Sequence, residues 1–316
     1  PGAELLVVKL KQSKQYLRDF FLIKDDVPAF EESDIMLALR FLEDYAIRLG
    51  KPLIIIFGLG SANGSRTGAS PLAEMMENLT KKPNISVITC MGNEANNKCH
   101  YKGTVMSALV PDVMEINVDG TGKGFTMEIW ADSLDILSVS IESPSGEYVP
   151  RIPARMGASM EYTFLYEGST VTVDYQITEN VAGMEVIFVR LKTPVEGTWK
   201  FYIYSLTNIK GSYNAWLPLK QFSGQDIYFL KSDPDTTLTV PAAADGVISV
   251  GAYNHYTGAA YYESGRGYSA DGKAGYVIRR VRGYMELLHL EALRLLEQAM
   301  QRLMPGAVLH FYIHIR

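Results

Sequence analysis

The feature that most constrains the fold is a short run that is apolar at every position, Leu53–Phe57 (LIIIF). A strand with one face in water alternates apolar and polar residues, whereas a strand covered on both faces does not. Parallel sheets are covered in this way because the helices that connect their strands pack on the sheet. The run therefore predicts a buried strand of a parallel sheet.

Helical patterns flank this strand in the chain. Apolar residues recur at helical spacing between Ser33, a predicted N-cap, and Gly50, which stands where a helix-ending glycine belongs. Ser70 and Pro71 are a good cap and first turn for a second helix, and Ile85–Cys90 follows as another strand. Alternation of strands and helices predicts a parallel sheet with right-handed crossovers.

Residues 104–230 have a different pattern. Alternating segments such as 113–118, 126–130 and 170–174 are separated by turn residues, and no helical period is visible. Closely spaced strands of this kind predict an antiparallel sandwich of the jelly-roll type. All three tryptophans lie here, and two roles stay open for them: core packing or an aromatic platform for sugars. They are Trp130, Trp199 and Trp216.

Composition narrows the functional classes. The 316 residues are 47% hydrophobic with a net charge of −5, so the chain has no basic footprint and nucleic acid is not an expected partner. No apolar stretch approaches the roughly 20 residues of a membrane span, and no signal peptide opens the chain. Cys90 and Cys99 are too few for a disulfide framework, and Cys99 with His100 lacks the further ligands of a zinc site. We expect neither a metal nor a cofactor.

Four segments carry a resemblance to the subtilases, the subtilisin-like serine proteases, and they occur in the family's order. They are 1–10 (PGAELLVVKL), 34–60 (DIMLALRFLEDYAIRLGKPLIIIFGLG), 87–96 (VITCMGNEAN) and 237–253 (TLTVPAAADGVISVGAY) with the following GRGYSADGK. The chain is similar to the clostridial branch that includes the Csp spore-germination proteases, whose members carry a jelly-roll insertion after the Gly-Asn-Glu segment.

The resemblance implies a fold and a division of the chain. It implies an α/β fold, a subtilisin-like three-layer core with a mostly parallel sheet, plus an inserted antiparallel β-sandwich. Residues 1–103 and 231–273 would form the core, and residues 104–230 the insertion. The tail 274–316 does not resemble the family. Two interpretations of it stay open: an out-of-frame reading of the missing family segment, or a helical extension over 285–304.

The resemblance also implies the roles of six residues. Asn93 matches the amide that donates to the oxyanion of the acyl-transfer transition state, where one lost donor typically costs about 10²–10³ in turnover. Gly58, Leu59 and Gly60, with Met91 and Gly92, match the walls that hold the substrate peptide as an added strand. The implied partner is a peptide or protein substrate.

The triad of the family is missing from the sequence. No Asp-Ser/Thr-Gly, His-Gly-Thr-His or Ser-Gly-Thr-Ser motif occurs, and Arg66-Thr67 stands where relatives often have His-Asp. Another triad built from His100, His255 and Ser264 has no support from order or spacing.

Two functions follow as hypotheses. The first is a subtilisin-like serine endopeptidase by family, in a chain that is catalytically incomplete because N-terminal and C-terminal core segments are missing. The alternative is a pseudoprotease or a peptide- or signal-binding module of spore germination. The resemblance implies a bacterial origin and relatives that are often spore-associated, and it leaves the localisation of this chain open.

Overall fold

A computed structural model describes residues 4–131, 136–155, 157–178, 184–206, 211–252, 259–270, 272 and 312–315. The helices are α1 (Gln15–Phe20), α2 (Glu32–Leu49) and α3 (Pro71–Thr80), with a 3₁₀ turn at Lys220–Phe222. The strands are β1 (Glu4–Leu6), β2 (Leu53–Phe57), β3 (Ile85–Cys90), β4 (His100–Val105), β5 (Asp112–Asp119), β6 (Gly124–Ala131), β7 (Leu137–Glu142), β8 (Tyr148–Ile152), β9 (Ser159–Thr163), β10 (Thr170–Thr178), β11 (Met184–Lys192), β12 (Gly197–Ser205), β13 (Gly211–Trp216), β14 (Asp226–Phe229), β15 (Ile248–Val250) and β16 (Tyr312–Ile315).

The unit β2–α3–β3 has the predicted form. β2 and β3 pair in parallel, and four of the five residues of β2 are buried. Ser70 caps α3 by accepting a hydrogen bond from the backbone N–H of Ala73, and α2 ends at Gly50 in the left-handed conformation. The predicted start of α2 is wrong by two residues, because Glu31 occupies the N-cap and Ser33 lies inside the first turn.

The sheet that contains β2 is small and mixed. Its order is β1-β16-β2-β3-β15, and only β2, β3 and β15 run parallel to one another. Helices α2 and α3 both pack on one face, against Leu53, Ile55 and Phe57. The other face carries a separate apolar cluster around Ile56 and Ile88, to which no described helix contributes. Among the described residues, helices therefore cover only one side of this sheet.

Two antiparallel sheets contain most of the described strands. Their orders are β4-β13-β6-β11-β10-β9 and β14-β5-β12-β7-β8. The inward side chains of both sheets belong to one continuous apolar core, with Trp199, Phe201 and Tyr213 among its fully buried members. The strands predicted at 113–118, 126–130 and 170–174 lie within β5, β6 and β10.

The predicted fold class is wrong. The described chain is mostly β, and its antiparallel sheets outweigh the small sheet with parallel pairs, so it is not a helix-rich three-layer α/β core with a mostly parallel sheet. The strand–helix–strand pattern around β2 correctly predicted one parallel pair of strands, but a single such unit does not imply a core built mostly from parallel strands. The three-residue β1 pairs antiparallel with β16, which the tail supplies. The division of the chain into domains stays a prediction, and the predicted helix at 285–304 lies outside the described residues.

The tryptophans have the core role. Trp130, Trp199 and Trp216 are 7%, 0% and 2% exposed, so none of them presents a ring to a sugar. Among the described helices, none is both long enough and apolar enough to cross a membrane.

Candidate functional site

The loops that follow β2 and β3 lie side by side. The strands are in register up to the pair Phe57 and Thr89, so the chain leaves both strands at the same edge of the sheet. The Sγ of Cys90 lies 3.8 Å from the carbonyl oxygen of Leu59. On the other side of β3, the backbone N–H of Met91 donates to Val250 at 3.1 Å. Ligands of parallel sheets bind beyond the carboxyl ends of strands, and this is such an edge.

Thr239 brings the two loops together. A Cβ at Gly60 would lie 2.4 Å from the Oγ1 of Thr239, and a Cβ at Gly92 would lie 2.5 Å from its Cγ2. Both glycines therefore pack directly against this side chain. The backbone N–H of Thr239 also donates to Met91 at 3.1 Å, and its hydroxyl donates to the carbonyl of Cys90 at 3.3 Å. Thr239 fixes the distance between the two predicted walls.

Some backbone groups around the edge form hydrogen bonds within the protein, and others do not. Gly92 accepts a hydrogen bond from Gly265 at 2.8 Å, and Ser61 exchanges two hydrogen bonds with Val240, at 3.0 and 2.9 Å. Outside the strand ladders, no backbone–backbone hydrogen bond between described residues involves Leu59 or Gly60. Both are partly exposed. Because the carbonyl of Leu59 already lies within reach of the Cys90 thiol, the groups open to an extended peptide are the backbone N–H of Leu59 and both backbone groups of Gly60.

The turn after β3 exposes one side chain and buries the next. Asn93 is exposed, while Glu94 is 6% exposed. The carboxylate of Glu94 accepts a hydrogen bond from the amide of Asn97 at 3.0 Å, and its backbone carbonyl lies 3.4 Å from the thiol of Cys99. Burial raises the pKa of Glu94 above its ordinary value. These contacts hold the turn through the buried Glu94, while the side chain of Asn93 stays exposed.

His100 is not placed for catalysis. It is fully buried, stacks on Trp216 with ring centroids 5.0 Å apart, and its Nδ1–H can donate to the carbonyl of Asp233 at 3.1 Å. Burial lowers its pKa. Ser264 accepts a hydrogen bond from the backbone of Ala252 at 3.0 Å. His255 lies outside the described residues, and His100 makes its contacts with Trp216, Asp233 and Asn214 and not with Ser264.

Gly60, Met91 and Gly92 thus meet at Thr239, Leu59 contacts Cys90, and Asn93 follows in the same turn. Gly58 is exposed, and a Cβ built on it would meet nothing within 4 Å. The roles of all six residues rest on the resemblance. Sequence reasoning missed Thr239, because a threonine in an apolar segment has no pattern that sets it apart. It noticed Arg66 only as a departure from the family. Within the described residues, no cluster of three potential ligands could hold a metal.

Comparisons with known proteins relate the chain to a solved protease structure. No protein-family model and no curated protein matches the chain. The structure of the CspB protease of Clostridium perfringens matches with a TM-score of 0.68 and 25% sequence identity, over 78% of this chain. The chain is related to a protease. It spans about half of the relative, 52% of that chain, so the match is to part of the protease only.

Proposed function

We propose that this chain carries the peptide-binding edge and the oxyanion donor of a subtilisin-like serine endopeptidase of the clostridial Csp type. The observation that supports the proposal most directly is the packing of Gly60 and Gly92 on the same side chain, Thr239. That packing sets Gly60, which makes no backbone–backbone hydrogen bond outside the strand ladders of the described residues, beside a turn that exposes Asn93.

Each part of the edge has a chemical role. The backbone groups of Leu59 and Gly60 pair with an extended peptide as an added strand, which gives affinity without demanding a particular side chain. Asn93 donates a hydrogen bond to the carbonyl oxygen of the bond to be cleaved, and this hydrogen bond strengthens as negative charge develops there. Met91, 3% exposed, fills space beside the edge and restricts the side chain that the peptide can place there.

The sequence holds none of the triad motifs, so we expect this chain to bind a peptide without cleaving it. The family chemistry requires a serine activated by a histidine, with an aspartate to orient the histidine. The second candidate function, a pseudoprotease or peptide-binding module of germination, uses the same edge for recognition alone. The DNA on both sides of the coding segment separates the two: intact Asp and His motifs favour the protease, and degenerate ones favour the pseudoprotease.

Peptide binding tests the proposal. The probes are fluorescein-labelled, end-blocked tetrapeptides with alanine, phenylalanine, glutamate or lysine at the last position, and the readout is fluorescence anisotropy. Asn93→Ala should weaken binding of the best probe about three- to tenfold, roughly the worth of one hydrogen bond. Asn96→Ala is the matched control, because Asn96 is an exposed asparagine of the same turn. Equal affinities of the two variants would refute the role of Asn93, and no binding of any probe would refute the edge.

A further inference from the structure

A buried arginine lies behind the candidate site. Arg66 is 4% exposed, and one terminal nitrogen of its guanidinium donates to the carbonyl of Ala62 at 2.7 Å. The other terminal nitrogen donates to the carbonyl of Leu238. Leu238 directly precedes Thr239, the residue on which Gly60 and Gly92 pack. One side chain thus joins the loop after β2 to the segment that separates the two walls.

The six-stranded antiparallel sheet supports this arginine. The guanidinium of Arg66 lies over the ring of Trp216 on β13, 5.2 Å from its centroid, and Trp216 also stacks on His100 of β4. Gly64 lies between Ser61 and Arg66 in the same loop. Its backbone N–H donates a hydrogen bond to the carboxylate of Glu128 on β6 at 2.9 Å. The loop 61–66 therefore contacts two adjacent strands of that sheet, β13 and β6, and β4 acts on it only through the stack of His100 on Trp216.

We propose that Arg66 is a positioning residue for the peptide-binding edge. It packs on Trp216 of the antiparallel sheet and bonds to Leu238, and in this way it holds the neighbouring Thr239 in place. The inference rests on the proposed function for the meaning of that edge. It gives the six-stranded sheet a task beyond its own stability. The sheet fixes the position of the 238–240 segment, and that segment sets the separation of Gly60 from Gly92.

The chemistry of the contact explains why arginine is required. The planar guanidinium presents several donors in a fixed fork and packs flat on an aromatic ring, so it can hold two carbonyl groups while covered by Trp216. A lysine keeps the charge but offers a single point of attachment. In Arg66→Lys, at least one of the two buried carbonyls, of Ala62 or Leu238, should lose its partner.

The experiment compares two buried arginines. Arg18 is 6% exposed and donates to the carbonyls of Lys24, Asp25 and Val27, at 2.7, 3.1 and 2.9 Å, away from the edge. Arg66→Lys and Arg18→Lys are therefore the same substitution at two buried arginines, although Arg18 makes its three hydrogen bonds through one terminal nitrogen and Arg66 uses both. The first readout is hydrogen–deuterium exchange at the amides of Thr239 and Val240, which bond to Met91 and Ser61. The second is affinity for the best tetrapeptide probe.

We expect Arg66→Lys to speed exchange at these two amides roughly tenfold to hundredfold, the equilibrium factor for one charge-assisted hydrogen bond, and to weaken peptide binding. Arg18→Lys should leave both readouts as in the parent chain. Should Arg66→Lys fail to fold, Arg66→Gln takes its place and should also raise exchange at the same amides. Equal exchange in the Arg66 and Arg18 variants would overturn the inference. If the parent chain binds no peptide, the proposed function fails, and the exchange data still decide the role of Arg66.

Discussion

Replacement of Gly92 by alanine tests the wall of the candidate site most directly. Gly92 has φ of +88°, so a side chain there first carries the cost of the left-handed backbone, about 1–2 kcal/mol. The new Cβ would also lie 2.5 Å from the Cγ2 of Thr239, and overpacking of this kind costs about 1–3 kcal/mol. We therefore expect Gly92→Ala to lower the free energy of unfolding by about 2–5 kcal/mol in all.

The two contributions can be separated within the same chain. Gly120 has a similar φ of +80°, but nothing lies within 4 Å of a Cβ built on it. Gly120→Ala should thus show the backbone cost alone, about 1–2 kcal/mol. Urea unfolding of both variants, followed by far-ultraviolet circular dichroism, measures the difference between them. That difference is the cost of contact with Thr239.

A second substitution should recover part of the loss. Thr239→Ser removes Cγ2 and keeps the hydroxyl, which would lie 3.4 Å from the new Cβ, an acceptable contact. The serine variant alone should lose about 1 kcal/mol for the missing methyl group. The double variant Gly92→Ala with Thr239→Ser should lose less free energy of unfolding than the sum of the two single losses, by a coupling energy of about 1–3 kcal/mol. Equal effects of Gly92→Ala and Gly120→Ala, or strict additivity with Thr239→Ser, would refute the reasoning.

Three further predictions concern charge and chemistry. Burial lowers the pKa of His100, so on acidification the unfolded chain binds a proton at this histidine before the folded chain does. The free energy of unfolding should therefore fall as pH drops below about 6.5, by at most about 1.4 kcal/mol per pH unit. His100→Gln should remove this dependence in urea titrations between pH 5 and 8. Burial raises the pKa of Glu128, so the folded chain holds that proton longer, and stability should fall as pH rises above about 4.5. Glu128→Gln keeps an acceptor for Gly64 and Trp130, so its free energy of unfolding should increase relative to that of the parent chain as pH rises. A difference in stability that does not change with pH would contradict this. A fluorophosphonate probe should leave the chain unlabelled, as judged by intact mass; stoichiometric labelling would disprove the missing nucleophile.

Local chemistry made several elements predictable. The caps at Ser70 and Gly50 depend on hydrogen bonds and backbone angles within a few residues, and both are present. The uniformly apolar β2 is buried at four of its five positions, although the described helices cover only one face of its sheet. Alternation also placed the strands of the antiparallel sheets, because each alternating residue reports the face on which it lies.

The sequence by itself thus determined where several of the strands and helices form, and it placed Asn93 in a turn after a buried strand. Only the tertiary structure decided how sheets are composed and what stands behind the site. Thr239 bonds to a residue 149 positions away, and Arg66 to one 172 positions away. Contacts of that length leave no periodic trace in the chain, since they depend on how separate elements meet. The fold class was misjudged for the same reason: pairing partners such as β1 and β16 come from opposite ends of the sequence.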